Sequence, residues 1–492
     1  MTSHSLPLAV ATAPARVLDM NSLKRVFFAL AVVLMVVAPF SQDPLAMSVG
    51  AAVPWFMMQM VARPGMPSAV VYLLVWQWVQ VFARVLQSMV DGEPMTNSLF
   101  GPNVGRAYWY MMASLVVLSI ALRLMLSNLK APTEEDRTAH LEWRPSDIFT
   151  LYLGALLLAV VCRFAAQAVP GLVQPIEALA KLKIVALFIL FSTVMMTGRG
   201  GNLMWIAVGA EVVMGFSGML SDFRSVFFYV AIAAIASRVQ VKGVTIAVGL
   251  LCAGVLTFLA LFWTAVKMDY RDFVTGGEDS QAIRVDLEDR MAYLGDRLVA
   301  VDAIDWNQAS YLFLIRLAYT DIFGSVIGVQ ETAPEPGIMR QWQDAIDHVT
   351  RPRFLFPNKA ALSDTEVYVR LARGDPTEQM RLGTSISVGY MAENYVDLGF
   401  PGMLAGIFVI GMLYGVLIKY FMNMKFPWVL REGVVLALVM SVAQNGVEIS
   451  LPKLLGTCLM FFLVYWMLGR FAFQNGINWL KGRSGFREAQ LS

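Results

Sequence analysis

The chain has 492 residues, 57% of them hydrophobic and 15% charged, with a formal net charge of +2 and a mean hydropathy of +0.60. Soluble domains carry about 25% charged residues, so this is the composition of an all-α polytopic membrane protein, and scattered cations at near-neutral net charge exclude a nucleic-acid partner. Cys162, Cys252 and Cys458 all fall in apolar runs, without metal-ligand spacing and out of reach of an outer-loop disulfide, which excludes cysteine chemistry.

The first 22 residues lack a hydrophobic stretch and a cleavage site, and Lys24-Arg25 lead directly into Val26 to Phe40. This reads as an uncleaved first span behind a cytoplasmic tail of residues 1–25. A helix needs roughly 20 apolar residues to cross the hydrocarbon core, with about 17 to 25 tolerated. That ruler gives about 12 transmembrane helices. Nine lie between residues 26 and 266: Val26 to Phe40, Leu45 to Ala62, Ser68 to Gln87, Ala107 to Ser127, Ile148 to Val169, Ile176 to Thr197, Leu203 to Leu220, Ser225 to Ser237 and Val244 to Val266. Three more lie between 400 and 473: Phe400 to Met422, Val429 to Val447 and Leu454 to Phe473. The Ser225 to Ser237 stretch is far too short for a full crossing and fits half of a broken or re-entrant pair.

Alternate loops differ in cation load. Arg63, Arg123, Lys130, Arg137, Arg144, Arg199, Arg238, Lys242, Lys419, Lys425 and Arg431 fall on one side with the tail 474–492, while the other side holds little beyond Arg106, Arg224 and Lys453. By the positive-inside bias both termini are cytoplasmic, and the long insert 267–399 is an outer, periplasmic loop domain. Cations at the outer ends of spans then become candidates for anion binding. Arg84 and Arg163 fall in last turns of outward-running helices, Lys181 and Lys183 in the first turns of an inward-running one, and Arg224 follows two glycines and a turn, Gly215 to Phe223. Each has a structural alternative, snorkelling to the headgroups or, for Arg224, pairing with Asp222.

Within the insert, Leu287, Met291, Leu294, Leu298 and Val301 show the spacing of an amphipathic helix over Ile283 to Val301, expected to lie over the membrane surface. A second helical pattern, Tyr311 to Phe323, carries Arg316 and Asp321, a candidate ion pair. His348 then precedes Thr350-Arg351-Pro352-Arg353-Phe354-Leu355-Phe356-Pro357-Asn358-Lys359. Its cations sit on the face that topology signals disfavour, which points to an anionic ligand such as a lipid phosphate. Arg370, Arg373 and Arg381 follow as a solvated charged face. The insert ends at Gly383 to Gly402, including Tyr390, Glu393, Asn394 and Tyr395, and is expected to run without a break into the tenth span. Glu393 near the outer interface is either a proton acceptor or a carboxylate that pairs with Arg351 or Arg353 to hold the insert down.

The Pro-Arg-Phe-Leu-Phe-Pro-Asn-Lys segment in a long outer loop, the Gly-Tyr-Met-Ala-Glu-Asn-Tyr-Val-Asp-Leu-Gly-Phe-Pro-Gly junction into a late helix, and an upstream arginine matched by Arg224 resemble the Wzy-type O-antigen and exopolysaccharide repeat-unit polymerases. The resemblance covers the polytopic layout and, at motif level, roughly Phe216 to Gly402. It implies a GT-C-like glycosyltransferase that is independent of metal and cofactor. The growing glycan would pass from undecaprenyl pyrophosphate to the hydroxyl of a lipid-linked repeat unit. Implied partners are undecaprenyl-pyrophosphate-linked oligosaccharides, the lipid bilayer, a chain-length regulator and a flippase.

Under that resemblance Arg224, Arg351 and Arg353 would receive the departing diphosphate, because guanidinium forks bind such oxygens bidentately. Lys359 would add a point charge, with Arg84, Arg163 and Arg316 at the outer face. Glu393, and after it His348, would take the acceptor proton, while Tyr390, Asn394 and Tyr395 would hold sugars. Two other readings stay open. An O-antigen ligase would use His348, and a lipid-linked-sugar flippase is suggested by Glu211 inside a span.

Overall fold

The structure, a computed structural model, describes residues 17–98, 100–217, 223–276, 284–351, 356, 359, 363–372 and 386–491. Among these residues there are helices and no strand. In chain order they are α1 (Met20–Val37), α2 (Pro44–Val61), α3 (Ala69–Asp91), α4 (Val104–Met125), α5 (Glu134–Thr138), α6 (Pro145–Ala168), α7 (Val173–Ala180), α8 (Leu182–Thr197), α9 (Gly201–Ser217), α10 (Ser225–Ala236) and α11 (Gly243–Thr275). The insert contributes α12 (Leu287–Val299), α13 (Trp306–Leu317), α14 (Thr320–Thr332), α15 (Arg340–Thr350) and α16 (Asp364–Ala372). The last are α17 (Tyr390–Met422), α18 (Trp428–Ala443), α19 (Leu451–Phe471) and α20 (Phe473–Leu491).

Among the described residues nine helical rods are long and apolar enough to cross a membrane, and the bent pair α13–α14 makes a tenth if it counts as one span. The chain is a multi-pass membrane protein. The three further crossings expected from the sequence fall on α9, α10 and α18, which have 17, 12 and 16 residues. At 1.5 Å per residue α10 reaches about 18 Å, little more than half of a ~30 Å hydrocarbon core.

Position in the bundle separates α18 from α11. Nearly every residue of α18 is buried, from Trp428 to Ala443, and it packs on α3, α8 and α17. None of the most apolar window of α11 is buried, which suits a helix facing lipid. α17 lies along α4 because Gly411 and Gly415, one turn apart, leave no side chain between it and Leu118, Ala121 and Met125.

Three features of the insert depart from expectation. α11 runs unbroken to Thr275, well past Val266, so Lys267 and Arg271 ride on the same rod as the apolar span. Leu294 of α12 then packs with Tyr270 and Val274 on that extension, and Tyr293 stacks on Phe273 at 4.7 Å. The amphipathic face therefore covers protein, where the sequence suggested a membrane surface. Finally, the junction into the tenth span is not continuous: Gly399 and Phe400 have non-helical backbone (φ 60°, ψ −174° and φ −103°, ψ 132°). That break lets Phe400 stack on Tyr110 of α4 at 4.1 Å.

Candidate functional site

Tyr72, Trp76, Gln80 and Arg84 recur every four residues and share one face of α3. Gln80, half-way along the helix, is the junction of the site. Its Nε2 donates to Glu448 Oε1 at 2.9 Å and its Oε1 accepts from Val447 N at 2.9 Å. Its backbone carbonyl accepts from Tyr319 N at 3.2 Å, in the elbow where α13 and α14 bend by 52°. One residue thus ties the turn Gly446–Glu448, between α18 and α19, to the elbow of the insert. The turn tolerates only glycine at 446, whose φ is +60° and where a Cβ would collide with Gln80 Oε1. Gly389 is held the same way, at φ +84° against Val447 O.

Around Lys267 the structure gathers cations from three helices. Arg224 at the N-cap of α10 sits over the Trp76 ring at 5.3 Å. Trp76 is in turn stacked by Tyr72 at 6.2 Å and faced by Phe228 at 5.7 Å. α11 brings Lys267 and Arg271, one turn apart, and α13 brings Arg316. The charges of Arg316, Arg271 and Arg224 all act on Lys267, and the one acid acting on it is Glu448. Arg271 Nε and Nη1 are buried with no hydrogen-bond acceptor among the described residues. Buried donors without acceptors are rare in native proteins, and four cations against one carboxylate repel one another. Both conditions are relieved by an anion. Glu448 itself is partly buried, and burial pushes its carboxyl up to about 7 against the opposing pull of Arg224 and Lys267.

The other residues singled out in the sequence divide as follows. Arg224 and Arg316 belong to this group. Arg351 does not: it pairs with Asp347 at 2.8 Å, with 59% of its side chain exposed, and it is not among the charges acting on Lys267 or Glu448. Arg353 lies outside the described residues, as do Asp222, Arg373 and Arg381. Arg84 is consumed in a buried ion pair with Asp321 at 3.3 Å, supported by Asp91 at 3.6 Å. Asp321 therefore pairs with Arg84 and not with Arg316. Arg163 is exposed on α6 beside the exposed Val161 and Phe164, the placement of a snorkelling side chain.

Lys359 Nζ donates to the carbonyls of His348 and, at 2.9 Å, Arg351, which closes the C-terminus of α15. The sugar-holding candidates are structural. Tyr390 is fully buried and its hydroxyl donates to Gln77 Oε1 at 2.6 Å. Asn394 is also fully buried; its side-chain oxygen accepts from Trp342 Nε1 at 3.0 Å and its amide donates to Tyr390 O at 2.7 Å. Tyr395 packs against Tyr110 and Phe323. Glu393 is 2% exposed and accepts from Leu451 N at the start of α19, under the charges of Asp364, Asp397 and Arg370. It neither pairs with Arg351 nor faces open space. Lys183 is bound by Glu211 at 2.6 Å, and Tyr152 also donates to Glu211, at 3.0 Å.

Sequence reasoning missed Gln80, Trp76, Glu448, Lys267 and Arg271. Two signals were present. Gln77, Gln80 and Gln87 interrupt an apolar helix, and polar groups inside a span mark function by default. Lys267 and Arg271 continue the four-residue spacing of Leu259 and Trp263. Compared with protein-family models, curated proteins and solved structures, the chain matches none.

Proposed function

We propose that the chain is a GT-C-like membrane glycosyltransferase with twelve spans, a polysaccharide repeat-unit polymerase of the cytoplasmic membrane with both termini cytoplasmic and its site facing the periplasm. The carrying observation is the gathering of Arg224, Arg271 and Arg316 around Lys267, with two unsatisfied buried N–H groups on Arg271, and with Glu448 as the acid acting on Lys267. A lipid-linked diphosphate fits both the charge and the surroundings. Arginine forks bind its oxygens without metal or deprotonation, and the lipid-facing length of α11 leads from Lys267 toward the bilayer interior.

In this reading the bond from the donor sugar's anomeric carbon to the phosphate oxygen breaks, and undecaprenyl pyrophosphate leaves with the charge held by the four cations. The acceptor hydroxyl of a lipid-linked repeat unit forms the new glycosidic bond, and its proton passes to Glu448. A carboxyl that titrates near neutral suits that exchange. The role first given to Arg351 and Glu393 thus moves to Arg271 and Glu448. Reconstitution with lipid-linked repeat units is the test. A ladder of longer glycans supports polymerisation; a single transfer to a lipid A core acceptor would mark a ligase; a change of sidedness without new glycosidic bonds would mark a flippase.

A further inference from the structure

At the end of α17 remote from Glu448 lies a second, smaller basic site. A cavity of about 520 Å³ is lined by Val416, Lys419, Tyr420, Asn423, Met424 and Lys425, within the ~300–1,000 Å³ usual for small ligands. Lysines at a helix C-terminus ordinarily serve its last carbonyls. Here other donors already serve them. Asn423 N reaches Lys419 O at 3.1 Å and Tyr420 O at 3.2 Å, Met424 N reaches Phe421 O at 3.3 Å, and Arg431 Nη1 donates to Met422 O at 2.7 Å. Among the described residues neither the Lys419 nor the Lys425 ammonium has a partner, and no acid lines the cavity.

The cavity opens onto an apolar stripe. Met412, Val416 and Tyr420 are exposed at four-residue intervals on α17, and Leu459, Leu463, Trp466 and Met467 are exposed on α19 beside it. Tyr420 and Phe462 join the two helices edge to face at 5.1 Å. Tyrosine and tryptophan favour the headgroup level of a bilayer, which puts the lysines where lipid phosphates lie. We propose that this pocket binds the headgroup of an anionic glycerophospholipid. Its phosphate meets the Lys419 and Lys425 ammonium groups and the Tyr420 hydroxyl, and its acyl chains follow the stripe between α17 and α19.

Native mass spectrometry of the full chain in detergent, titrated with phosphatidylglycerol or phosphatidylcholine, tests this. The expected result is a retained phosphatidylglycerol adduct whose affinity falls about fivefold for each of Lys419→Gln and Lys425→Gln. Arg199→Gln, an exposed cation outside the pocket, should change nothing. Asn423→Trp keeps both lysines and fills the cavity, so it should abolish the adduct even if the glutamine pair folds poorly. Equal adducts in wild type and Asn423→Trp would overturn the proposal. So would displacement by millimolar glycerol phosphate, which would make the ligand a soluble anion.

Discussion

Gln80 holds the Glu448 carboxylate at 2.9 Å with one end of its amide and the Val447 backbone at 2.9 Å with the other. The position of the acid that acts on Lys267 is therefore set from the middle of α3. Gln80→Leu leaves both partners unpaired at ~1–3 kcal/mol each, and should lower both the melting temperature and glycan extension. Gln80→Glu keeps the acceptor for Val447 N but sets a second carboxyl against Glu448, so its melting temperature should fall further below wild type at pH 8 than at pH 5, where the two can share a proton. A leucine variant as stable as wild type would show that the turn is held by something else.

The Glu448 carboxyl, raised by burial from the ordinary 4.5 to about 7, gives two pH signatures. As a proton acceptor it must be ionised, so extension should rise with pH up to about 7 and then level, and Glu448→Gln should flatten the profile at a low rate. Stability runs the other way. The folded state holds this proton more tightly than the unfolded chain, so the stabilisation is complete below about 4.5 and is lost as pH rises through 7. Glu448→Gln should accordingly melt higher than wild type at pH 8 and alike at pH 4. Thermal scans at both values in detergent check this, and an inactive variant that is also destabilised at pH 8 would argue for a purely structural carboxylate.

Arg84 and Asp321, 3% and 4% exposed, form a buried ion pair between α3 and the insert. Removing one partner of such a pair costs about 3–5 kcal/mol, whereas replacing both by apolar residues of similar size is often close to neutral. Arg84→Ala should therefore give little folded protein, and Arg84→Met with Asp321→Leu should recover folding and a substantial part of the activity. Size-exclusion profiles and melting curves read the difference. Activity lost in a well-folded double variant would return Arg84 to the substrate site.

On the opposite side of the bundle His140 is fully buried among Trp143 and Trp428. Burial, with the Arg137 charge adding to it, pushes its pKa down from 6.5 to about 4. The neutral ring contributes stability that is present above 6.5 and is lost as pH falls toward 4, worth about 3 kcal/mol at most. His140→Phe should show a smaller drop in melting temperature between pH 7 and pH 4.5, while extension at pH 7 stays near wild type.

Membrane class and helix positions were legible because hydropathy over 20-residue windows is a local property, and α11 or α1 announces itself by composition alone. The site was not. Arg351 and Glu393 stood out as charges in a motif, yet Arg351 pairs with Asp347, one helical turn before it, and Glu393 accepts from the first turn of α19, 58 positions away, a partner no local spacing shows. Lys267 was mistaken for the start of a loop because the apolar run ends at Val266, whereas the helix continues for two and a half more turns, held by α12. Glu448 is one polar residue in a short turn. Its significance comes from Gln80, 368 positions away, and no local pattern carries a pairing of that range.

The most direct measurement compares Arg271→Ala with Arg351→Ala in glycan extension from lipid-linked repeat units, at matched folded protein. A preorganised donor to a developing charge is worth about 10²–10³ in rate, so Arg271→Ala should lose extension by that factor while Arg351→Ala stays within about threefold of wild type. Full extension by Arg271→Ala, or its loss only in Arg351→Ala, would contradict a diphosphate site around Glu448.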